Sequence, residues 1–523
     1  MWWLVVPIAF IILLGFAIIR AIIIKADPPQ PRLEAPSGKE LERAGIVLSE
    51  MVQKPTISHV DGHEDDLAPF FEFQDVLTRH FPLLHHHLSK EVIDGSLIYC
   101  WQNSNRGRES STDTATPATK MKFNNHSSGS DEHLVADKIK PTFDRKSKQD
   151  TKKPILLIAH QDVVPATAEG WRFPPFSGTL SEGSVWGRGA LDCKSMIYAI
   201  LEGIEQLLSE NFTPSCDIWL AFSTNEETSG AGAPTISRIF EERGLYFRLV
   251  LDEGGAVLED ALPGMDRPFA MIGVAEKGYL DLKITAQGSG GHSSTPPDNT
   301  PLARLARFIT AIERKPPFKK VLSRETRAMM RATAPSLPFL LRFLFGNLWL
   351  TAPLIKFALP RVSTFGRAML ATTCTFTMAE GSEASNVIPN EASVIANLRP
   401  ATHQGVDASL AALHPLLKKN ELSADFLIAQ EPSPVSDITD PRYQDFVAVI
   451  KDCFPDCGVS PYLVMGGTDA RNYTNVSDMV LRFQPIRMTQ EELGAMHGID
   501  ERISVQSVAE GAVFIKQLIK KLC

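Results

Sequence analysis

The sequence predicts an α/β fold, a doubly wound sheet interrupted by a smaller α+β unit and preceded by an apolar helix. Three observations predict it. Short apolar runs, PILLIAH (154–160), DIWLAFST (217–224) and FRLVLDEG (247–254), alternate with helical patterns over Ser195–Leu208 and Ala233–Arg243. That alternation is the rhythm of buried parallel strands joined by crossover helices. From Gly278 the texture changes, and YLDLKITAQG (279–288) alternates like a half-exposed strand. Finally, Trp2–Ile19 carries no charge at all.

The elements follow in order. About 20 apolar residues are needed to span hydrocarbon, and Arg20 near the end of such a run can snorkel to the interface. A cleaved signal peptide has a basic start, a shorter apolar run and a small-x-small exit, none of which is evident. Residues 1–25 are therefore expected to be a single-pass transmembrane anchor. Arg20, Lys25 and Arg32 follow the run, and the positive-inside rule taken alone would leave the rest of the chain in the cytoplasm. After the Pro-rich stretch Asp27–Pro36, KELERAGIVLSEMVQ reads as an amphipathic helix that opens a first domain over 39–277. Within it, 103–153 is rich in Ser, Thr, Asp and Lys and is expected to be disordered. The smaller unit covers 278–431, with a helix over Leu302–Glu313 and strands at CTFTMAEG (374–381) and EASVIANLRP (391–400). Residues 432–523 return to the first domain. Inside the smaller unit, PSLPFLLRFLFGNLWLTAPLIKFALP (335–360) is strongly apolar. Pro, Arg, Gly and Asn break it, so a second span is not expected. Two readings stay open, packed core helices or an apolar surface for a lipid substrate or the bilayer.

Composition bounds the rest. At 523 residues the chain suits two or three domains, and a net charge of -8 gives nucleic acid no general attraction. Seven cysteines in no zinc-knuckle spacing read as isolated buried thiols; a Cys453–Cys457 pair would need an oxidising compartment. The triplet His85–His87 reads as a solvated strand edge. Asn125, Asn211, Asn472 and Asn475 begin N-x-S/T sequons.

The chemistry gathers where strands end, the usual site location in such a sheet. His160 and Asp162 follow PILLIA, Asp192 follows WGRGAL, Glu226 and Glu227 follow the strand DIWLAFST, Asp252 follows FRLVL, and His497 precedes GIDERI. Histidines with carboxylates suit zinc. Two metals need a bridging carboxylate, and an adjacent pair of glutamates can divide the roles of ligand and base.

These stretches, HQDVVPA, WGRGALDCKSM, STNEETSGAGA, LDEGG, GHSSTPP, SNVIPNEA, GGTDAR and HGIDERI, together resemble the peptidase M20 family, and within it the carboxypeptidase S and PM20 domain-containing subgroup, which includes N-fatty-acyl amino acid hydrolase/synthase. The resemblance runs from about Lys39 to the carboxyl terminus, outside the 103–153 insertion. It implies a zinc-peptidase-like catalytic domain with an inserted lid that often dimerises, and two Zn2+ ions, with Co2+ or Mn2+ as alternatives. His160 and Glu227 would each bind one ion, Asp192 would bridge both, and Asp252 and His497 would complete the shells. Glu226 would be the general base, and Asp162 would orient His160. A cis peptide is implied after Asp192, with Cys193 a bystander. In the lid, His292 would stabilise the oxyanion, often in the partner subunit's site. Asn386, Arg399, Gly467 and Thr468 would hold the substrate's carboxylate.

The implied reaction is cleavage, possible in both directions, of the amide joining an acyl group to an amino acid with a free carboxylate. The anchor and the apolar insert favour N-fatty-acyl amino acids; release of the last residue of short peptides is the alternative. The lid motifs GHSS and SNVIP argue against an M28-type aminopeptidase, and an intact set of ligand positions argues against a catalytically dead binding protein. Subgroup members work in secretory, vacuolar or extracellular spaces, which implies a lumenal or extracytoplasmic catalytic domain against the charge rule.

Overall fold

The structure is a computed structural model and describes residues 2–26, 28, 31, 34–59, 66–103 and 153–523. Nearly all of the expected polar insertion, and the sequon at Asn125, lie outside the described residues. The three predicted strands form at Ile155–His160, Ile218–Ser223 and Leu249–Asp252. They lie side by side and parallel inside a ten-stranded sheet.

One strand shows that both faces are covered. Ile155, Leu157 and Ala159 join a large core with helices Gly38–Val52, Ser195–Ser209, Pro441–Cys453 and Val505–Leu522. Leu156 and Ile158, pointing the other way, join a second core with Ile236 and Phe240 of helix Gly232–Glu242. Each such fully buried Leu or Ile contributes about 1.5–3 kcal/mol.

The sheet is mixed rather than purely parallel. Ser89–Ile93 and Ser96–Trp101 form an antiparallel hairpin added to Ile218–Ser223. Asp94 and Gly95 between them both have positive φ (47° and 79°), the backbone of a two-residue hairpin turn. Phe269–Glu276, on the far side, meets Val480–Arg482 antiparallel and Gly458–Val464 parallel.

The smaller unit is a four-stranded antiparallel sheet in the order Thr373–Glu380, Glu391–Arg399, Tyr279–Gln287, Ser423–Gln430. Leu280, Leu282 and Ile284 bury one face against Leu305 and Phe308 of helix Pro301–Arg314 and Leu413 of helix Gly405–Lys419. Ser423–Gln430 is an edge strand that leaves Phe426, Leu427 and Ile428 exposed.

The apolar segment forms two helices, Phe339–Gly346 and Leu348–Val362, bent 111° at Asn347. One side of it packs as core helices do, and the other is exposed. Phe345, Leu348 and Ile355 are buried in a local core, whereas Phe339, Leu340, Leu354 and Phe357 are exposed. The amino-terminal helix runs Trp2–Ile23, with an apolar stretch Ile11–Ile23. No single helix among the described residues is long and apolar enough to cross a membrane.

Two smaller expectations change. His85–His87 end a short helix, Pro82–His87, and are no strand edge. There the His85 ring bonds the Phe81 carbonyl (2.9 Å) and the Tyr99 hydroxyl (3.2 Å). Cys453 and Cys457 are buried and not joined to each other, but Cys216 and Cys523, 307 residues apart, form a disulfide. A pairing so distant leaves no local signal in the sequence.

Candidate active site and metal centre

The carboxyl ends of the central strands converge on His160, which is 1% exposed. Its Nε2 lies 3.0 Å from Asp192 Oδ1 and 3.4 Å from Glu253 Oε1. Its Nδ1 faces the Asp162 carbonyl at 2.9 Å and Asp162 Oδ1 at 3.4 Å. Asp162 therefore meets the ring chiefly through its main chain. Its carboxylate also accepts the N–H groups of Glu226 and Glu227, both at 3.1 Å, and the Ser58 hydroxyl at 2.7 Å. One aspartate thus ties the histidine to the loop carrying both glutamates.

Asp192 stands between two histidines. Oδ1 faces His160, while Oδ2 lies 3.0 Å from His497 Nε2. The same His497 nitrogen is 3.1 Å from Glu227 Oε2. The Asp192–Cys193 peptide is cis, as the resemblance implied. The turn is held by Glu501, fully buried, which accepts the N–H groups of Leu191 (2.9 Å) and Asp192 (3.2 Å) and pairs with Arg188 at 2.5 Å.

Asp252 does not take the place expected of it. Its carboxylate turns away from the histidines to accept the Ala470 N–H at 2.7 Å. Successive side chains at a strand end point to opposite sides, so its neighbour Glu253 faces His160 instead. The two glycines that follow allow the turn. Gly254 has φ +98°, and a Cβ on Gly255 would fall 2.2 Å from the Met271 carbonyl oxygen.

Candidate ligand atoms fall into two groups, each within 4.8 Å: His160, Asp192, Cys193 and Glu253, then Asp192, Glu227 and His497. Asp192 belongs to both. Cys193 is an unsuitable ligand, because its sulfur is engaged with the His160 main chain (3.3 Å to N, 3.5 Å to O) and burial pushes its thiol well above the ordinary range.

The electrostatics also point to cations. Burial, with repulsion among neighbours, raises the carboxyls of Glu226, Glu227 and Glu253. Burial would raise Asp192 too, but its hydrogen bonds to both histidines hold it far below. Bonds to Asp192 and Glu227 push His497 up to about 10. Glu227 Oε1 is buried without a hydrogen-bond partner. Four acidic groups packed together, with one orphaned oxygen, fit two divalent ions sharing Asp192, since protein donors alone leave the charge uncompensated.

The lid residues divide. His292 and Asn386 meet on a small ribbon, where His292 pairs with Val387 and the Ser293 N–H donates to the Asn386 carbonyl at 3.0 Å. Both side chains are exposed, and neither belongs to either ligand group. Arg399 sits at the other end of the lid sheet, its guanidinium 4.3 Å above the Tyr279 ring. The register from Leu280↔Leu398 to Gln287↔Glu391 puts about 25 Å of strand between Arg399 and the ribbon's root. Gly467 and Thr468 lie near Arg399 by way of Arg471. A Cβ on Gly467 would come 2.7 Å from Arg471 Nη2, and Arg399 feels the Arg471 charge. Thr468 donates its N–H (3.1 Å) and hydroxyl (2.9 Å) to Glu276, which also accepts from Arg471 and Arg482. Beside Arg399, burial pulls Lys277 down to about 7.

Sequence reasoning missed Glu253, Glu276 and Glu501. Glu253 and Glu501 lie inside recognised motifs (LDEGG, HGIDERI) and Glu276 ends the strand Phe269–Glu276, but no local pattern says which acid faces inward.

Comparison with known proteins agrees with this geometry. Residues 156–521 match the family described as Peptidase family M20/M25/M40. The chain is 33% identical over 392 residues to human N-fatty-acyl-amino acid synthase/hydrolase PM20D1, covering 74% of this chain and 78% of that protein. It is 32% identical over 515 residues to the probable carboxypeptidase S-like 2 of Dictyostelium discoideum, covering 95% and 90%. The M20 family metallo-carboxypeptidase Sso-CP2 of Sulfolobus solfataricus has the same fold, with TM-score 0.59 at 17% identity over 93% of this chain and 99% of that one. A carboxylate shared between buried His160 and exposed His497, on this fold and within this match, places the chain in the peptidase M20 family of metallohydrolases.

Proposed function

We propose that the protein is a two-zinc amidohydrolase that cleaves the amide between an acyl group and an amino acid with a free carboxylate, with N-fatty-acyl amino acids as its substrates. The observation that carries this is Asp192 shared between two ligand groups, with Glu226 fastened beside them. In this reading His160, Asp192 and Glu253 hold one ion, and Asp192, Glu227 and His497 hold the other. Histidine and carboxylate donors suit zinc, and cobalt or manganese accept the same set. When bound, the ions supply Lewis acidity to the scissile carbonyl and to the attacking water.

The chain's own residues do the rest. Glu226 takes the proton of the attacking water and returns it to the departing amine, fastened beside the ligand groups by the bond its N–H donates to Asp162. Arg399 grips the substrate carboxylate bidentately, with Gly467, Thr468 and a second subunit's Asn386 around it. His292 donates a hydrogen bond to the oxyanion. Because His292 and Asn386 stand far from Arg399 along the lid, they serve the site of a second subunit in this reading. The exposed edge Phe426, Leu427 and Ile428 offers a pairing surface for such a dimer. Condensation is the same path run backwards.

The name of the human relative supports the fatty-acyl substrate, as does the exposed apolar face of the bent helices. The Dictyostelium relative's name supports the second reading, a carboxypeptidase for short peptides. We also read residues 1–25 as a membrane anchor with the catalytic part in an extracytoplasmic space. The Cys216–Cys523 disulfide supports that side, since disulfides persist in oxidising compartments. Glycan attachment at exposed Asn211 tests it.

The deciding experiment compares hydrolysis of N-oleoyl-phenylalanine and an N-blocked dipeptide by the full chain, with and without a chelator. Chelator-sensitive cleavage of the fatty substrate upholds the proposal. Preference for the dipeptide makes the enzyme a carboxypeptidase, and turnover of neither refutes both substrate readings.

A further inference from the structure

The amino-terminal helix and the bent lid helices are packed together. Ala17 and Ala21 of Trp2–Ile23 are fully buried, and Asn347 at the bend donates to the Ala17 carbonyl at 3.1 Å. Phe16 lies beside Trp349, with ring centroids 6.4 Å apart, and a Cβ on Gly346 would come 3.1 Å from Ile24 Cδ1. Small residues and a buried amide at the crossing are what apolar helices use to associate where water does not drive them.

The outward side of this three-helix unit is apolar. Ile12, Phe16, Ile19 and Ile23 on the first helix are exposed, as are Leu340, Trp349, Leu354 and Phe357 on the bent pair. Charge completes the pattern. No acidic residue occurs between Glu325 and Glu380, whereas Arg327, Arg331, Arg342, Lys356, Arg361 and Arg367 do. Lys356, Arg361 and Arg367 are exposed around the apolar face. Anionic headgroups attract such a rim, and long basic side chains can bury their stems in lipid while their charges stay wet.

We propose that the bent pair Phe339–Val362 docks into one leaflet of a lipid bilayer beside the amino-terminal helix, holding the enzyme against the membrane from which fatty substrates are taken. The depth is consistent. Contact runs from Ala17 to Ile24, about 10 Å along a helix, which is within one leaflet of a hydrocarbon core about 30 Å thick. A 111° bend suits a pair that enters and leaves by the same side. The lid helices also connect to the substrate pocket. Leu370, in the same core, adjoins Ala371, whose carbonyl accepts from Lys277 beside Arg399 at 3.0 Å.

This inference rests on the reading of the first helix as membrane-embedded, and the experiment separates the two. Full-length protein is placed in nanodiscs of phosphatidylcholine and phosphatidylserine. An environment-sensitive fluorophore is attached through Ile12→Cys, Leu340→Cys, Phe357→Cys or, as a control on the exposed lid loop, Glu383→Cys. Doxyl-labelled lipid should quench positions 12, 340 and 357 but not 383, and iodide the reverse. Quenching at 12 alone overturns the docking while leaving the anchor, and quenching at neither 12 nor the lid positions overturns both. Quenching at 340 and 357 without 12 overturns docking beside a membrane-embedded first helix. Protection of 340 and 357 from both quenchers means that a second copy of the protein covers the face, which also overturns it. A Leu340→Glu/Leu354→Glu/Phe357→Glu variant should lose about tenfold in kcat/KM for bilayer-borne substrate. Its rate on a short-chain, water-soluble N-acyl amino acid should be unchanged.

Discussion

Glu253 and Asp252 sit side by side, yet only Glu253 faces the histidines. Glu253→Gln removes an anionic oxygen 3.4 Å from His160 Nε2. Losing a group that merely orients a ligand lowers metal affinity 10–100-fold, so losing the ligand itself should cost about 100-fold or more at that site. Asp252→Asn should be mild. Burial already raises the Asp252 carboxyl to about 6, and an amide oxygen still accepts the Ala470 N–H, so the cost is about 1 kcal/mol. The assay is metal content per chain by plasma mass spectrometry after dialysis against metal-free buffer, with thermal unfolding in parallel. The expected result is two ions for wild type and Asp252→Asn, one for Glu253→Gln, and a collapse of kcat only in the last. If Asp252→Asn loses an ion while Glu253→Gln keeps two, the assignment is refuted.

Three further outcomes follow from the same geometry. Arg399→Ala removes a charge-assisted grip of about 1.5–3 kcal/mol and should raise KM for free-carboxylate substrates about 10- to 100-fold, with little effect on their methyl esters. An equal loss for both would show that Arg399 has only a structural role. Glu501→Gln strips the partner from buried Arg188 and weakens the cradle of Asp192. Breaking such a pair costs about 3–5 kcal/mol, so melting temperature and metal affinity should fall together, as calorimetry and metal titration would show. Chelation at pH 7 in weak buffer should make the protein take up protons, once the protons that the chelator itself releases on binding metal are subtracted. Without cations the Glu226, Glu227 and Glu253 carboxyls rise and His497 reaches about 10, so the metal-free protein binds more protons, on the order of one to two. Potentiometric detection of release instead of uptake would contradict that sign.

What is legible in the sequence is whatever is encoded locally. PILLIAH, DIWLAFST and FRLVLDEG announce buried strands because they are continuous apolar runs, and YLDLKITAQG announces a half-buried one by its alternation. Strand ends then place His160, Asp192, Glu227 and His497 near one another. The antiparallel hairpin at Asp94–Gly95 is equally readable from its turn, and without it the sheet looks purely parallel. The choice between Asp252 and Glu253 is not readable, because it depends on the Ala470 N–H, 218 residues away. Glu276, Glu501 and the Cys216–Cys523 pair are likewise set by long-range partners. The apolar insert is ambiguous for a physical reason: a helix with one face in a core and the other open has the composition of either.

The proposed reaction is hydrolysis of fatty-acylated amino acids gripped by their carboxylate. Its most direct test is the rate at which the full-length enzyme releases phenylalanine from N-oleoyl-phenylalanine and from its methyl ester, before chelation, after it, and after zinc is restored. The account predicts that only the free acid is turned over efficiently, that chelation abolishes the rate, and that zinc restores it. Equal turnover of the ester, or a rate indifferent to the chelator, would contradict it.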